Sequence, residues 1–258
     1  MEQVEDTAEP GMKRAVVMGA SSGIGNQIAR LLLQRGYKVG VAARRTEKLQ
    51  ELQQCFPNKV CYAQIDVTRE DAPDRLNGLV HLLGGMDLYI HVSGIGFNNI
   101  ELHADKEVNT ARTNATGFIR MISTAFNYLA SHGGGQLVAI SSIAGTKGLG
   151  CAPAYSATKA LQATYLEALE QLSVMRKLNI RVTDIRPGFV DTALLGDGLH
   201  YPYCMDVNYA ARKIVKAIEQ HRHVAVIDGW YRLLTMFWRI VPRCLWRHLP
   251  IYCRKEVE

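Results

Sequence analysis

The chain runs to 258 residues, 48% of them apolar and 21% charged, with a formal net charge of +6. Its 22 glycines and 8 prolines are too few for a collagen-like or low-complexity chain, and no window of about 18 residues is apolar and charge-free enough for a conventional transmembrane helix. The composition is that of one globular domain with apolar mass for a full core. The opening MEQVEDTAEPG carries four acids and no base, the reverse of a signal peptide, and reads as a disordered leader over residues 1–11. Six scattered cysteines form no C-x-x-C pair, so free thiols in a reducing, cytoplasmic setting are expected. Neither the cysteine spacing nor the eight histidines fit a common metal pattern.

In chain order, Arg14–Met18 is a short apolar run closed by Gly19, and a helical pattern follows over Ile24–Arg35. Lys38–Ala43 reads as a second strand, Glu47–Cys55 as a helix and Val60–Ile65 as a third strand. Further strands are predicted at Asp87–Val92, Gln136–Ile140, Arg181–Ile185 and Val224–Ile227, and helices at Thr110–His132, Ala154–Lys177 and Tyr209–Gln220. Seven short strands alternating with helices predict an α/β, doubly wound fold, a seven-stranded parallel sheet covered on both faces.

The turn Gly19-Ala-Ser21-Ser22-Gly23-Ile24-Gly25 sits between the first strand and the first helix. Small residues there let the backbone lie close to a pyrophosphate, and the exposed amides and positive end of the helix face its charge. At the end of the second strand, where a carboxylate would hold a ribose 2′-hydroxyl, the chain instead has Arg44 and Arg45. Two planar, permanently charged forks suit a 2′-phosphate, so NADP(H) is the expected cofactor, with NAD(H) the alternative. Asp66 and Val67, after the third strand, are placed to meet the adenine.

Ser141-Ser142 follows a strand, and Tyr155-Ser-Ala-Thr-Lys159 begins a helix, where Tyr155 and Lys159 share a face as i and i+4. A cation beside a phenol stabilises phenolate and lowers a pKa that is ordinarily about 10, as a general acid/base near neutrality requires. A serine hydroxyl opposite can hydrogen-bond a substrate oxygen as charge develops on it.

In these motifs the sequence resembles the short-chain dehydrogenases/reductases of the single-domain kind. Five elements match in order over residues 12 to about 228: Gly19-x-x-x-Gly23-x-Gly25, Asp66-Val67, Asn114, Ser142 with Tyr155-x-x-x-Lys159, and Pro187-Gly188-x-Val190-x-Thr192. The resemblance implies a Rossmann fold over residues 12–228 and a hydride transfer between nicotinamide and a ketone or secondary alcohol. It implies that Tyr155 exchanges the substrate proton, that Lys159 lowers the Tyr155 pKa and holds the nicotinamide ribose, and that Ser142, thirteen residues before Tyr155, orients the substrate oxygen. Asn114 would bend its helix and hold a water in the proton relay. Pro187, Gly188, Val190 and Thr192 would flank the nicotinamide, and Ser93-Gly94 would let the cofactor pass. The sequence departs from the family at Met18, where Thr is usual, and at His91-Val-Ser93-Gly94, where Asn-Ala-Gly is usual. Homo-oligomers through the helices at Thr110–His132 and Ala154–Lys177 are also implied.

Residues 229–258 carry six Lys and Arg, two acids and all three tryptophans. Arg232, Arg239, Arg243 and Arg247 fall on one side of a helical projection, and Leu233, Leu234, Phe237, Trp238, Val241, Cys244 and Leu245 on the other, with Pro242 expected to divide the helix. Such an extension can dock on the protein or meet a membrane surface, and both readings stay open. Its Arg-x-x-Pro-Arg run is similar to that of the ketoreductase of decaprenylphosphoryl-ribose epimerisation, which raises a lipidic carbonyl substrate and a membrane-peripheral location. Rival readings are an NAD-dependent alcohol dehydrogenase of the same fold and a non-catalytic nucleotide-binding scaffold. No nucleic-acid motif accompanies the modest charge.

Overall fold

The computed structural model describes residues 12–195, 201 and 203–252. The predicted leader 1–11 and the end of the extension lie outside the described residues. Seven strands form a single all-parallel sheet: β1 (Arg14–Met18), β2 (Lys38–Ala43), β3 (Val60–Gln64), β4 (Leu88–His91), β5 (Gly135–Ile140), β6 (Ile180–Arg186) and β7 (Val224–Val226). They lie in the order β3-β2-β1-β4-β5-β6-β7, the doubly wound Rossmann arrangement that the alternation of elements predicts.

Side chains alternate across the sheet, so each strand feeds two cores. Ala15 and Val17 of β1 join Val39 and Val41 beneath α1 (Gly23–Gln34), α2 (Glu47–Cys55) and α7 (Val207–Glu219). Val16 and Met18 join Tyr89, Leu137 and Ala139 beneath α3 (Ala72–Leu83), α5 (Phe118–Ser131) and α6 (Pro153–Met175). Because all strands run the same way, Gly19, Arg44, Asp66, Ser93, Ser142 and Pro187 all follow strand ends at one edge of the sheet, where open α/β sheets bind ligands.

The helix predicted at Thr110–His132 differs in detail. A shorter α4 (Ala104–Ala111) runs into a π-helical turn over Arg112–Gly117, which carries Asn114, before α5 begins. Gly117 lies so close to the strand-end loop that a Cβ there would stand 2.9 Å from Val67 Cγ2 and from Val67 O. Bulged turns of this kind gather at functional positions because they redirect a carbonyl.

The extension corrects its projection. Pro242 does divide it, into α8 (Gly229–Ile240) and a short α9 (Arg243–Trp246). Its apolar residues, however, are split between two faces. Tyr231, Leu234, Thr235 and Trp238 turn inward, whereas Leu233, Met236, Phe237 and Ile240 turn outward. The projection could not show which of the apolar residues of α8 the core takes, and Pro242 separately puts Arg243 and Arg247 on a second axis.

Candidate active site

The glycine turn is built by close approach. A Cβ on Gly25 would stand 2.1 Å from Gly19 O, and one on Gly19, whose φ is +96°, would stand 2.6 Å from Ser93 N. Gly23 (φ +53°) faces Thr192 Cγ2, which a Cβ would meet at 3.1 Å. The glycine turn, the Ser93-Gly94 loop and the 187–192 loop thus converge. Ser22, at the N-cap of α1, makes no side-chain cap bond, and Ser21 and Ile24 complete the turn, so the first-turn amides and helix dipole face the strand ends. The Gly19 and Ala20 amides are tied to Ala42 O at 2.7 and 3.2 Å. A pyrophosphate needs this bare backbone cradle, and the residues present fit one.

Arg44 and Arg45 are exposed directly after β2, and neither side chain makes an ion pair or hydrogen bond among the described residues. Asp66 Oδ1 accepts from Thr68 N and Oγ1 at 3.0 and 2.7 Å. Val67 O accepts from Arg120 Nη1 at 3.1 Å.

At the other half of the cleft, four expected side chains come together. Ser142 Oγ accepts from Ala144 N at 3.1 Å, donates to Pro187 O at 3.5 Å and lies close enough to the Tyr155 phenol to influence its protonation. Ser141, in contrast, spends its hydroxyl on Asp184 Oδ1 and Ile185 O, which separates the two serines by role. Lys159 Nζ lies 5.7 Å from the Tyr155 ring centroid and donates to Ile140 O and Gln162 Oε1, both at 3.0 Å. Asn114 is clamped in place: Oδ1 accepts from Ile95 N at 2.9 Å and Nδ2 donates to Ile95 O at 2.7 Å. Its main-chain oxygen accepts from Gln162 Nε2 at 2.9 Å.

Burial sets the protonation states. It pushes the Tyr155 phenol above its ordinary value, while the Ser142 hydrogen bond pulls the other way. Burial also lowers the Lys159 pKa to about 8, against the opposing pull of Asp184, which leaves the ammonium charged near neutrality.

Other contacts were not legible in the motifs. Gly96 lies against the phenol, where a Cβ would stand 2.7 Å from Tyr155 Cδ2. Glu107 accepts from Ala154 N at 2.8 Å through Oε2, at the start of α6, and from Asn99 Nδ2 at 2.7 Å through Oε1. Tyr231 of α8 lies on Gly188, whose Cβ would stand 2.4 Å from the ring, and donates to Tyr203 O at 2.8 Å. Lys147 Nζ donates to Val241 O at 3.0 Å and Trp246 Nε1 to Gly148 O at 2.7 Å. The inner face of the extension is therefore docked on the loops beside the cleft. Val190 is buried and bridges to Met205, and Pro187 O accepts from Ile143 N at 3.1 Å.

Comparison with known proteins agrees with this geometry. The sequence profile of the family described as short chain dehydrogenase matches residues 13–199. An uncharacterized oxidoreductase of Myxococcus xanthus is 35% identical over 218 residues, 82% of this chain and 85% of that protein. The structure titled "ElxO with NADP Bound" superposes with a TM-score of 0.75 at 22% identity, covering 86% of this chain and 99% of that one. A 3-ketoacyl-(acyl-carrier-protein) reductase from Brucella melitensis complexed with NADH gives 0.74 at 20% identity, over 84% and 97%. With its cradle at the strand ends and its profile match over most of its length, the chain belongs to the short chain dehydrogenase family, as an oxidoreductase acting on CH–OH and C=O groups.

Proposed function

We propose that the chain is an NADP(H)-dependent reductase of a ketone, or dehydrogenase of the matching secondary alcohol, with Tyr155 as its general acid/base. The observation that carries this is the corner that brings half-buried Tyr155 together with buried Ser142, Lys159 and Asn114, with Gly96 bare against the phenol. In this reading the glycine turn from Gly19 to Gly25 holds the pyrophosphate, Arg44 and Arg45 the 2′-phosphate, and Asp66 and Val67 flank the adenine. Ser93 and Gly94 line the passage, Lys159 holds the nicotinamide ribose, and Pro187, Gly188, Val190 and Thr192 flank the carboxamide. The nicotinamide supplies the hydride to the carbonyl carbon, or takes it up in the reverse direction.

The protein's own residues handle the proton. Ser142 Oγ hydrogen-bonds the substrate oxygen, and Tyr155 Oη gives up its proton as carbonyl becomes hydroxyl. The raised Tyr155 pKa keeps the phenol protonated near neutrality, the state that reduction needs. The Lys159 charge stabilises the phenolate left behind. Preference for the phosphorylated cofactor rests on the two guanidinium groups after β2, unpaired among the described residues, where a carboxylate would otherwise stand. Titration with NADPH and NADH, followed by nicotinamide fluorescence, tests it. Arg44→Ala/Arg45→Ala is expected to weaken NADPH at least about tenfold and to leave NADH unchanged, since charge-assisted bonds to the 2′-phosphate are removed. Equal binding of both cofactors, unmoved by the substitutions, would transfer the reading to NAD.

We further propose that the outer face of the extension meets an anionic lipid surface and that the substrate is lipidic. Leu233, Phe237 and Ile240 are 60, 65 and 77% exposed, large apolar side chains that a monomer in water gains nothing by presenting. Lys213, Lys216, Arg222, Arg232 and Arg239 line a groove along one edge of this face, which gives it the charge complementarity of an interfacial helix. Trp230 packs on Tyr203 at 4.9 Å between ring centroids, joining the face to the loop that borders the cleft. The full chain is expected to sediment with vesicles of phosphatidylglycerol and phosphatidylcholine but not of phosphatidylcholine alone, and to be released by salt. Phe237→Ser/Ile240→Ser, at outward positions, is expected to abolish this. Absence of vesicle binding together with self-association that the same variant abolishes would overturn the lipid reading and make the face a contact between copies.

A further inference from the structure

Gln162 follows Lys159 by three residues on α6 and is 1% exposed. A primary amide buried that deeply must find both an acceptor and donors inside the protein, or it costs stability. It finds both at the site. Oε1 accepts from Lys159 Nζ at 3.0 Å and Nε2 donates to the Asn114 main-chain oxygen at 2.9 Å. The π-helical turn prepares the second bond. In a regular α-helix the Phe118 N–H would go to Asn114 O, whereas here it goes to Thr113 and Ala115. Among the described residues, Gln162 is thus the one side chain bonded both to the ammonium of Lys159 and to the segment that carries Asn114.

We infer that Gln162 is a positioning residue, a fixed brace that holds the Lys159 ammonium between Ile140 O and the Asn114 turn and aims it at Tyr155. It links Lys159 to the Asn114 turn through a covalently anchored amide. Two of the three ammonium hydrogens are then committed to neutral acceptors, Ile140 O and Gln162 Oε1. The third is left for the side where Gly94 stands, a Cβ on which would lie 3.7 Å from Nζ. The other groups facing Lys159 are Tyr155 from the same helix, Asp184 from β6 and the neutral His91 from β4. None of them replaces Gln162, since Asp184 is bonded to Ser141 and Arg186, and His91 to Tyr89. The brace therefore favours the charged form of Lys159 against burial, and a second partner, Asn114, fixes the direction in which it does so.

The meaning of this brace for catalysis rests on the proposed role of Tyr155 and Lys159, but the brace can be tested without turnover. In protein labelled with 13C at lysine Cε, the Lys159 resonance is identified by its loss in Lys159→Met, and its titration midpoint in the wild type is expected at about 8. Gln162→Leu removes a neutral acceptor from an ammonium and is expected to lower that midpoint by about one pH unit. Gln162→Glu, nearly the same shape, keeps an acceptor and adds a negative charge, so it is expected to raise it. If Gln162→Leu does not fold, the Gln162→Glu shift carries the test. Midpoints unmoved in the variants would overturn the proposal, because an amide that merely fills space would cost stability without moving Lys159. Failure of the wild type to bind either nicotinamide cofactor would defeat the functional reading and leave this titration result standing.

Discussion

His91, at the end of β4, has its ring wholly inside the protein. Nδ1 meets the Tyr89 hydroxyl at 3.1 Å, the Phe118 ring packs edge-on at 5.2 Å, and Nε2 has no hydrogen-bond partner among the described residues. Burial, with the Lys159 charge behind it, holds the imidazole neutral and lowers its pKa from 6.5 to about 3. The unfolded chain binds this proton at about 6.5 and the folded one does not, so the stabilising contribution is complete above that value and is lost as pH falls toward 3. Between about pH 7 and about pH 5, His91→Gln is expected to lose roughly 2 kcal/mol less stability than the wild type in urea unfolding. Equal losses in the two proteins would remove His91 from the acid response.

The same scale shows what sequence spacing can and cannot reveal. Tyr155 and Lys159 stand out because their partnership is local, four residues on one helix. Gln162 and Glu107 do not, because their meaning lies in partners 48 and 47 residues away, Asn114 and Ala154. The choice between Ser141 and Ser142 likewise depends on Asp184, a strand away.

Among the elements, α6 shows how a helix start becomes part of a site. It opens with Pro153, which needs no N–H partner in the first turn, and Ala152 at the N-cap offers no side-chain acceptor. Glu107 of α4 supplies that acceptor from outside, adding a negative charge at the positive end of the helix dipole. Tyr155 lies in this first turn, so the cap positions the phenol as well as stabilising the helix. Glu107→Ala is expected to cost about 1 kcal/mol in thermal or urea unfolding, with Glu107→Gln recovering most of it. A Glu107→Gln variant as unstable as Glu107→Ala would show that the charge, and not the hydrogen bond, is what matters.

α8 is the element whose pattern misleads. Its apolar residues fill more than one face, and a helical projection cannot tell which of them a protein core takes. Contact with Gly188 assigns Tyr231 to the inside, and the burial of Thr235 follows one turn later. Leu233, Phe237 and Ile240 are left on the other side by the same rotation.

For the molecule as a whole, the parallel sheet was legible because buried strands are short, β-branched runs bounded by glycine and polar turns, as in Arg14–Met18 and Lys38–Ala43. Helix α3 stands out less, although its Ala72, Leu76, Leu79, Val80 and Leu83 recur at helical spacing, because it lies between two clearer strands. The π-helical turn was beyond reach, since it exists to fit Gly117 against Val67, a contact that only the assembled fold creates.

Strand β1 lies inside the sheet and precedes the other strands in the chain, so its two edges are completed at different times. β2 pairs with it from Arg14↔Lys38 to Met18↔Ala42, whereas the other edge waits for β4, in pairs such as Val16↔Tyr89. During synthesis, β1, β2 and β3 can associate long before β4 leaves the ribosome, and until then an apolar strand edge stands open. Closure of that edge joins residues far apart in sequence, an entropically expensive step that makes such sheets slow to fold. When β4 arrives the open edge passes to β4 itself and waits for β5, which begins only at Gly135, so the growing sheet carries an unpaired apolar edge through most of its synthesis.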